Sequence, residues 1–534
     1  MKKFLIILIL LFSSATVFCQ QIPLNAAVQN RLNEIFLNGD TSVFTGFRTL
    51  NWLELQQYLG NKKNDVVDSI FGITAANNTG YFLKHATTNN FIQAVGNKSV
   101  FAVDPYVQLG GGYANDNTGG LIEALGGLQF QGVCNNKFSY SFGFAAGISQ
   151  FAKYVNEFID SSQNYVPGIG HGNLQSKNSY ALSQFNANIT YLPSKHFLIG
   201  AGYGKNFIGD GYRSLILSDN ASSYPYLRVQ ARFWKITYNV LYNKYTNPRF
   251  QVDGADQRKY SVLHYLGINF SKRFQLGLYD NILWLARDTN IQRGIDVQYL
   301  SPIIFLRPVE YSIGSPDNAL LGLTYKYQFY KHGFLYGQIV LDDMHIKDSR
   351  ANHSQSSGNK YALQVGIWNQ DFLGAKNLSW RFEWNGVRPY TYDHDLGKIG
   401  LNYTHNNQAL ADPFNANFHE FISIFNYHNK RWYGMLQDLF TIRGENPGLP
   451  YNNGENLWGG EAGIPSNGVK TLTGNKNKYF FNQLTAGYLI NPRNRLALQA
   501  DVIYRKHTSP VANESVFYFS FGIRTNIFNY YHDF

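Results

Sequence analysis

The sequence predicts an all-β protein, a large antiparallel transmembrane β-barrel of the bacterial outer-membrane type, with about 18 strands and a small helical region before them. Three observations carry that prediction. The chain opens on a secretory leader, most of it alternates apolar and polar residues with period two, and it ends on Phe534 after an aromatic-rich stretch.

The leader comes first. Lys2 and Lys3 precede an unbroken apolar run from Phe4 to Phe12, and Val17-Phe18-Cys19 offers a cleavage site before Gln20. A lipoprotein box on Cys19 fits less well, because Phe18 stands where a small residue belongs. Residues 1–19 are therefore expected to be a signal peptide. Its apolar run is too short to span a bilayer, and no later segment reaches the roughly 18 apolar residues of a spanning helix. Without the leader the formal charge falls from +11 to +9, with 44 Lys+Arg against 35 Asp+Glu. No Lys/Arg-rich run exists, which argues against nucleic acid as a partner. Only Cys134 remains, so an intramolecular disulfide is excluded and a cysteine zinc site is not expected.

Composition supports a membrane barrel. Over 534 residues, aromatics make up 16% and charged residues only 15%, with 38 Tyr, 40 Phe and 3 Met. Soluble domains carry about 25% charged residues. The mean hydropathy is still −0.28, because apolar residues are interleaved with Asn, Gln, Ser, Thr and Gly. A barrel needs that mixture, since one strand face meets lipid and the other water. Tyr and Trp suit the two lipid–water boundaries.

Residues 20–95 read as a small helical periplasmic region. Val28, Leu32, Ile35 and Phe36 recur at helical spacing. Trp52, Leu53, Leu55 and Tyr58, then Val66, Val67, Ile70 and Phe71, suggest two more short amphipathic pieces. From 96 to 534 the period is two. Phe185 to Tyr191 and Phe197 to Tyr203 flank Leu192-Pro193-Ser194-Lys195. Further hairpins turn at 271–273, 330–333, 428–430 and 491–494. Polar segments at 155–177, 205–223, 282–316, 342–359, 386–416 and 440–478 separate them, and read as extracellular loops or inward folds filling the lumen. A terminal Phe looks like the insertion signal read by the barrel assembly machinery. The alternation slips, however: Phe517, Phe519, Phe521 and Ile523 share one phase, and Phe528 and Tyr530 take the other. Either a bulge lies near Asn526, or the strand ends there and a short tail follows.

No catalytic residues, metal site or cofactor are expected. Asp342-Asp343 with His345, and Asp393-His394-Asp395, are the clusters a hydrolase at the barrel rim would need; on loops such clusters are more commonly solvated or paired. The glycines at 200–204 and 209–211 form no phosphate loop, and the histidines lack zinc-ligand spacing. Four polar segments are denser than a pore wall requires. They hold Asp210, Arg213 and Asp219; Arg307 and Glu310; Arg388 and Tyr390; and Asp412 and Glu420. Such residues either form a network of inward ion pairs that fixes loops in the lumen, or a sugar-contacting surface.

These same segments resemble a Bacteroidetes outer-membrane family, described as gliding-motility RemB-like or Wzi-like capsule assembly proteins. The resemblance is carried by "GDGYRSLILSDNASSYPYLR" (209–228), "SPIIFLRPVEYSIGSPDNALLGL" (301–323), "YGQIVLDD" (336–343), "VRPYTYDH" (387–394) and "ALADPFNANFHE" (409–420). It runs from about Ser42 to Phe534. It implies a roughly 18-stranded barrel with periplasmic helical elements. It also implies a non-enzymatic role in surface polysaccharide attachment, or in adhesion and gliding; the Wzi branch behaves as a lectin that anchors capsule. Phe44 and Thr49 depart from the family pattern, where His and Pro are expected. The partners so implied are outer-membrane lipid, surface polysaccharide and the assembly machinery. The alternatives are a porin-like channel for small solutes and, less favoured, a rim hydrolase.

Overall fold

The computed structural model describes residues 22–38, 43–59, 85–96, 98–116, 118–176, 178–287, 293–301, 317–343, 357–394, 400–446, 452–459, 468–525, 527 and 529–534. The expected signal peptide over 1–19, the helical pattern expected at Val66–Phe71, and Arg307, Glu310, His345 and Asp395 lie outside them.

Eighteen strands form a closed antiparallel barrel, each paired with its chain neighbour. They are β1 (Val100–Ala114), β2 (Gly119–Cys134), β3 (Phe138–Gln150), β4 (Ser179–Tyr191), β5 (Phe197–Gly204) and β6 (Tyr224–Phe233). Then come β7 (Ile236–Val252), β8 (Ala255–Asn269), β9 (Phe274–Leu285), β10 (Asn318–Tyr330), β11 (Gly333–Asp343) and β12 (Lys360–Asn369). The last are β13 (Leu378–Val387), β14 (Phe418–Asn429), β15 (Trp432–Glu445), β16 (Asn475–Asn491), β17 (Leu496–Thr508) and β18 (Asn513–Thr525). Closure comes from β18 pairing with β1, Tyr518–Arg524 against Gln108–Ala114. In hydrocarbon every backbone N–H and C=O must be paired, and only a closed ring leaves no open edge. Two short strands, Ile92–Val95 and Asn173–Ser176, add to β1 and β4. Ile92–Val95 was expected in the helical region; its backbone pairs with the barrel instead.

Period two sorts the side chains. On β18, Phe517, Phe519, Phe521 and Ile523 point outward and are exposed, while Val516 and Ser520 are buried inside. Phe142, Phe144 and Ile148 repeat this on β3. All eight connections at one end are short. At the other end six are long and three are tight, including Asp253-Gly254. Asp253 (φ 52°) and Gly254 (φ 75°) adopt the left-handed pair that joins twisted strands in two residues.

Helices α1 (Ala26–Asn38) and α2 (Trp52–Leu59) lie at the short-turn end. Val28 and Leu32 of α1 pack with Ile22, Leu50, Trp52 and Leu55. Glu54 of α2 pairs with Arg228 on the inner wall at 3.1 Å, and Asn30 accepts from Trp368 Nε1 at 3.2 Å. Between the helices the chain rises into the lumen, where Phe44 packs on Tyr265 and Phe47 pairs with Ile208.

The lumen has two unlike sides. The wall from β7 to β13 turns Leu241, Leu263, Tyr265, Leu283, Leu320 and Val340 inward, and inserted loops bring Leu215, Leu217, Leu410 and Phe414 against them. The wall from β14 through β18 to β2 is lined by Gln, Asn, Ser and charged side chains around a smaller apolar cluster of Ile422, Ile424, Leu439, Phe481 and Ile503. The β9–β10 connection departs from expectation. Its described part, 293–301, packs outside the barrel, with Tyr299 fully buried 5.0 Å from Trp284 on the outward face of β9.

Candidate functional site

The β5–β6 connection, residues 205–223, folds into the lumen because its apolar residues have no other place to go. Ile208, Leu215, Ile216 and Leu217 are all fully buried. Gly209 (φ 125°) holds a backbone conformation that only glycine adopts readily, and Gly211 lies against the wall. A Cβ on Gly211 would sit 2.6 Å from Glu383 Oε2. That contact lets Glu383 accept the backbone N–H groups of Tyr212 and Arg213, at 2.7 and 3.0 Å.

Arg213 is the centre of the assembly and is 1% exposed. Its guanidinium meets Asp533 at 3.1 Å, Glu420 at 3.2 Å and Asp412 at 3.8 Å. It also lies over the rings of Tyr212 and Tyr531. Burial raises the Asp412 carboxyl to about 6, with Arg213 opposing that rise. Glu420 is fixed on its other side by Asn385 Nδ2 at 2.9 Å. Burial costs each charge its hydration, and the multiple pairing offsets that cost.

The other predicted residues are placed around this centre. Asp210 takes a hydrogen bond from Thr45 at 2.7 Å and an ion pair from Lys326 at 3.0 Å. Burial alone would raise its carboxyl, but Lys326 and Arg48 outweigh it and hold Asp210 below the usual range. Asp219 accepts from Tyr531 Oη at 2.7 Å and Asn529 at 3.0 Å. Arg388 and Tyr390 form a separate group. They cap the backbone carbonyls of Asn359, Val469 and Asn452. All seven described candidates are buried among protein atoms.

The chain terminus is the element that sequence reasoning placed least well. The strand ends at Thr525, so the tail alternative holds over the bulge. The tail turns back into the lumen, and Phe534 is not on a strand. Its carbonyl accepts from Arg505 at 2.7 Å, and its ring packs 4.8 Å from Phe158 of α3 (Lys153–Ser161). Tyr530 donates to Gln184 at 2.8 Å, and Asp533 accepts from Tyr212 at 2.7 Å and Gln437 at 2.8 Å. The residues that read as an insertion signal at the terminus thus make a plug.

The inner-wall partners Tyr336, Gln338, Gln364, Arg381 and Glu383 were not singled out from the sequence. Gln338 bonds both Ile208 O and Leu215 N, and Arg381 donates to Asp210 O at 2.6 Å. A polar residue at every second position of an otherwise apolar strand was the available signal. In the hydrolase clusters, Asp342 accepts the backbone N–H of Tyr392 at 2.7 Å, and Lys360 Nζ donates to Asp393 O at 2.8 Å. Phe44 and Thr49 are both engaged, Thr49 Oγ1 accepting from Phe207 N at 3.2 Å.

The described residues enclose a cavity of about 320 Å³. It runs along the polar wall, bounded by α1, the tail, and strands β14–β18, β1 and β2.

Fold and plug together define the class: an outer-membrane β-barrel whose lumen is filled by its own loops and terminus. Comparison with solved structures finds the Escherichia coli outer-membrane protein Wzi, characterised as involved in group 1 capsule assembly and as a carbohydrate-binding β-barrel. It is 12% identical with a TM-score of 0.57, over 95% of this chain and 99% of that one. At that identity the likeness establishes a shared fold over nearly the full length of both. Looser likenesses include Pseudomonas aeruginosa OccK7 (9% identity, TM-score 0.42, 79% of this chain and 98% of that one). Pseudomonas aeruginosa OprD is similar at 9% identity and TM-score 0.40, over 80% and 93%. No family model and no curated protein sequence matches the chain.

Proposed function

We infer that this barrel holds surface polysaccharide at the outer membrane, in capsule attachment or assembly, and does no enzyme chemistry. The observation that carries the reading is the closed lumen: Arg213 ties together the inserted β5–β6 loop, the β13–β14 loop through Asp412, the wall through Glu420, and the tail through Asp533. A channel is poorly served by a lumen packed in this way, whereas a barrel that presents loops needs them held. The shared fold with a carbohydrate-binding capsule barrel supports the same reading. The short-turn end with α1 and α2 is then periplasmic, and the long-loop end faces the glycan. A leader cleaved after Cys19 and insertion by the barrel assembly machinery complete the picture, the machinery reading the outward aromatics of β18 rather than the chain end. Within this reading the gliding-associated, RemB-like role is the variant in which the bound polysaccharide serves surface movement.

A deletion strain tests it. Loss of retained capsular or extracellular polysaccharide is expected, with colony spreading reduced if the gliding variant holds. Unchanged glycan retention and unchanged spreading would discard the proposal. The second reading, a porin-like channel, is favoured by the cavity along the polar wall. Steady single-channel current from the full chain in a planar bilayer would establish it, and silence would reject it.

A further inference from the structure

The cavity on the polar wall contains a guanidinium with nothing to hold. Arg495, in the turn between β16 and β17, is 5% exposed and lines the cavity at its short-turn end. Among the described residues no carboxylate and no hydrogen-bond acceptor pairs with it, and its Nε is buried without a partner. Burial lowers it to about 10, with Tyr433 opposing that fall and the nearby charge of Arg31 adding to it. Leaving a buried charge unanswered is costly, and proteins keep such groups where something else completes them. Around the same mouth Arg31 is answered by Glu34, while Lys430 adds another positive charge. The mouth therefore carries an excess of cations.

Deeper in, the wall changes character. Tyr433 Oη donates to Gln499 at 2.9 Å, and Gln499 Nε2 donates to Asp501 at 2.9 Å. Arg524 bridges Asp501 and Glu123, each at 3.3 Å, and Gln108 donates to Glu123. This ladder sets two carboxylates against one guanidinium and is rich in amide and hydroxyl groups, with Arg524 Nε still unused. A volume of about 320 Å³ falls at the lower end of small-molecule sites, which span about 300–1,000 Å³.

We propose that this cavity binds an anionic sugar, its acid group on the fork of Arg495 and its hydroxyls along the ladder from Tyr433 to Glu123. A carboxylate or a phosphate matches the planar, two-pronged guanidinium equally well. A uronic acid and a sugar phosphate are thus the two sources of one chemistry. The polar ladder above suits the hydroxyls of a sugar, and Phe481, Ile503 and Tyr518 beside it suit the apolar face of its ring. This interior site goes beyond the surface attachment proposed above, and it stands or falls by its own measurement.

The test is calorimetric titration of the folded full chain in detergent with glucuronate, glucose 6-phosphate, glucose and inorganic phosphate. Binding of glucuronate or glucose 6-phosphate at least tenfold tighter than glucose is expected, and which one binds identifies the source of the acid group. Arg495→Gln should weaken that binding tenfold or more, and Arg495→Lys should restore part of it. The lysine variant serves alone if the glutamine variant fails to fold, and an affinity intermediate between wild type and glucose is its expected result. Equal affinity for glucose, undiminished binding by the variants, no binding of either sugar acid, or inorganic phosphate binding as tightly as the sugars would each overturn the proposal. Capsule retention is measured separately, so failure here leaves the surface reading untouched.

Discussion

Arg213 and Arg495 are both buried guanidinium groups of one barrel, 1% and 5% exposed, yet their surroundings are opposite. Arg213 meets three carboxylates and two aromatic rings. Arg495 meets none of the former and faces open space. The contrast extends to the walls behind them. From β7 to β13 the barrel turns apolar residues inward, and the inserted loops pack there as a second core. From β14 round to β2 polar and charged residues surround a smaller apolar cluster, and the filling is incomplete. A sealed charge cluster is how a barrel fixes its plug, and an unsealed one is where a ligand has room to bind. The same residue type therefore means structure on one side of the lumen and a binding site on the other.

The tail is the partition between those sides, so removing it should break the contrast most completely. Ending the chain after Thr525 deletes Asn529, Tyr531 and Asp533, and with them the contacts to Asp219 and Arg213. The cavity then merges with the space the tail occupied. Steady single-channel current in a planar bilayer is expected from the truncated barrel, against silence from the full chain. A truncated barrel that inserts and stays silent would show that the loops alone close the lumen. Next in size is the cluster itself. Arg213→Ala leaves Glu420 and Asp412 buried without their counter-charge, a loss of about 3–5 kcal/mol for a broken buried pair. Arg495→Ala removes a group that pairs with nothing, and its effect on stability should be within about 1 kcal/mol. Thermal unfolding in detergent measures both, and equal losses would erase the distinction between the two arginines.

The barrel itself was legible in the sequence because period two and hairpin turns are local. Phe185 to Tyr191 and Phe197 to Tyr203 announce β4 and β5 without reference to any other part of the chain. So do α1 and α2, from the spacing of Val28, Leu32 and Ile35 and from Trp52 to Tyr58. The polar segments around Asp210, Arg213, Asp412 and Glu420 stood out for their density. What joins them did not, because Arg213 and Asp533 are 320 residues apart, and no local pattern says that a tail will reverse into its own barrel. Arg495 was invisible for a further reason: what marks it is the lack of a partner, and a sequence shows residues, not vacancies around them. Tyr299 was missed likewise. Nothing near 293–301 shows that the segment will lie on the outside wall.

A smaller effect separates the two walls by their tolerance of added volume. Gly211 is pressed against Glu383 and the Arg213 carbonyl, both 2.6 Å from where a Cβ would stand. Gly434, which borders the cavity, would place its Cβ no closer than 3.6 Å to Thr485 O. Gly211→Ala should therefore cost about 1–3 kcal/mol through overpacking. Gly434→Ala should stay within about 0.5 kcal/mol. The pair is read by the same unfolding assay, and a tolerant Gly211 would mean that the β5–β6 loop can withdraw from the wall.

The last expected effect is a pH dependence confined to the sealed side. Burial raises Asp412 to about 6 from an unfolded value of 3.8, so between those two values the folded chain binds more proton than the unfolded one. Its contribution to stability is then fully present below 3.8 and is lost as pH rises through about 6. Other carboxylates slope the opposite way, so the informative quantity is the difference between wild type and Asp412→Asn. An asparagine cannot ionise and keeps nearly the same volume. The wild type should lose stability relative to the variant as pH goes from 4 to 6, and the difference should level off above that. A flat difference across the window would show that Arg213 holds Asp412 ionised throughout. The cluster would then be an ordinary ion-pair network with no proton of its own.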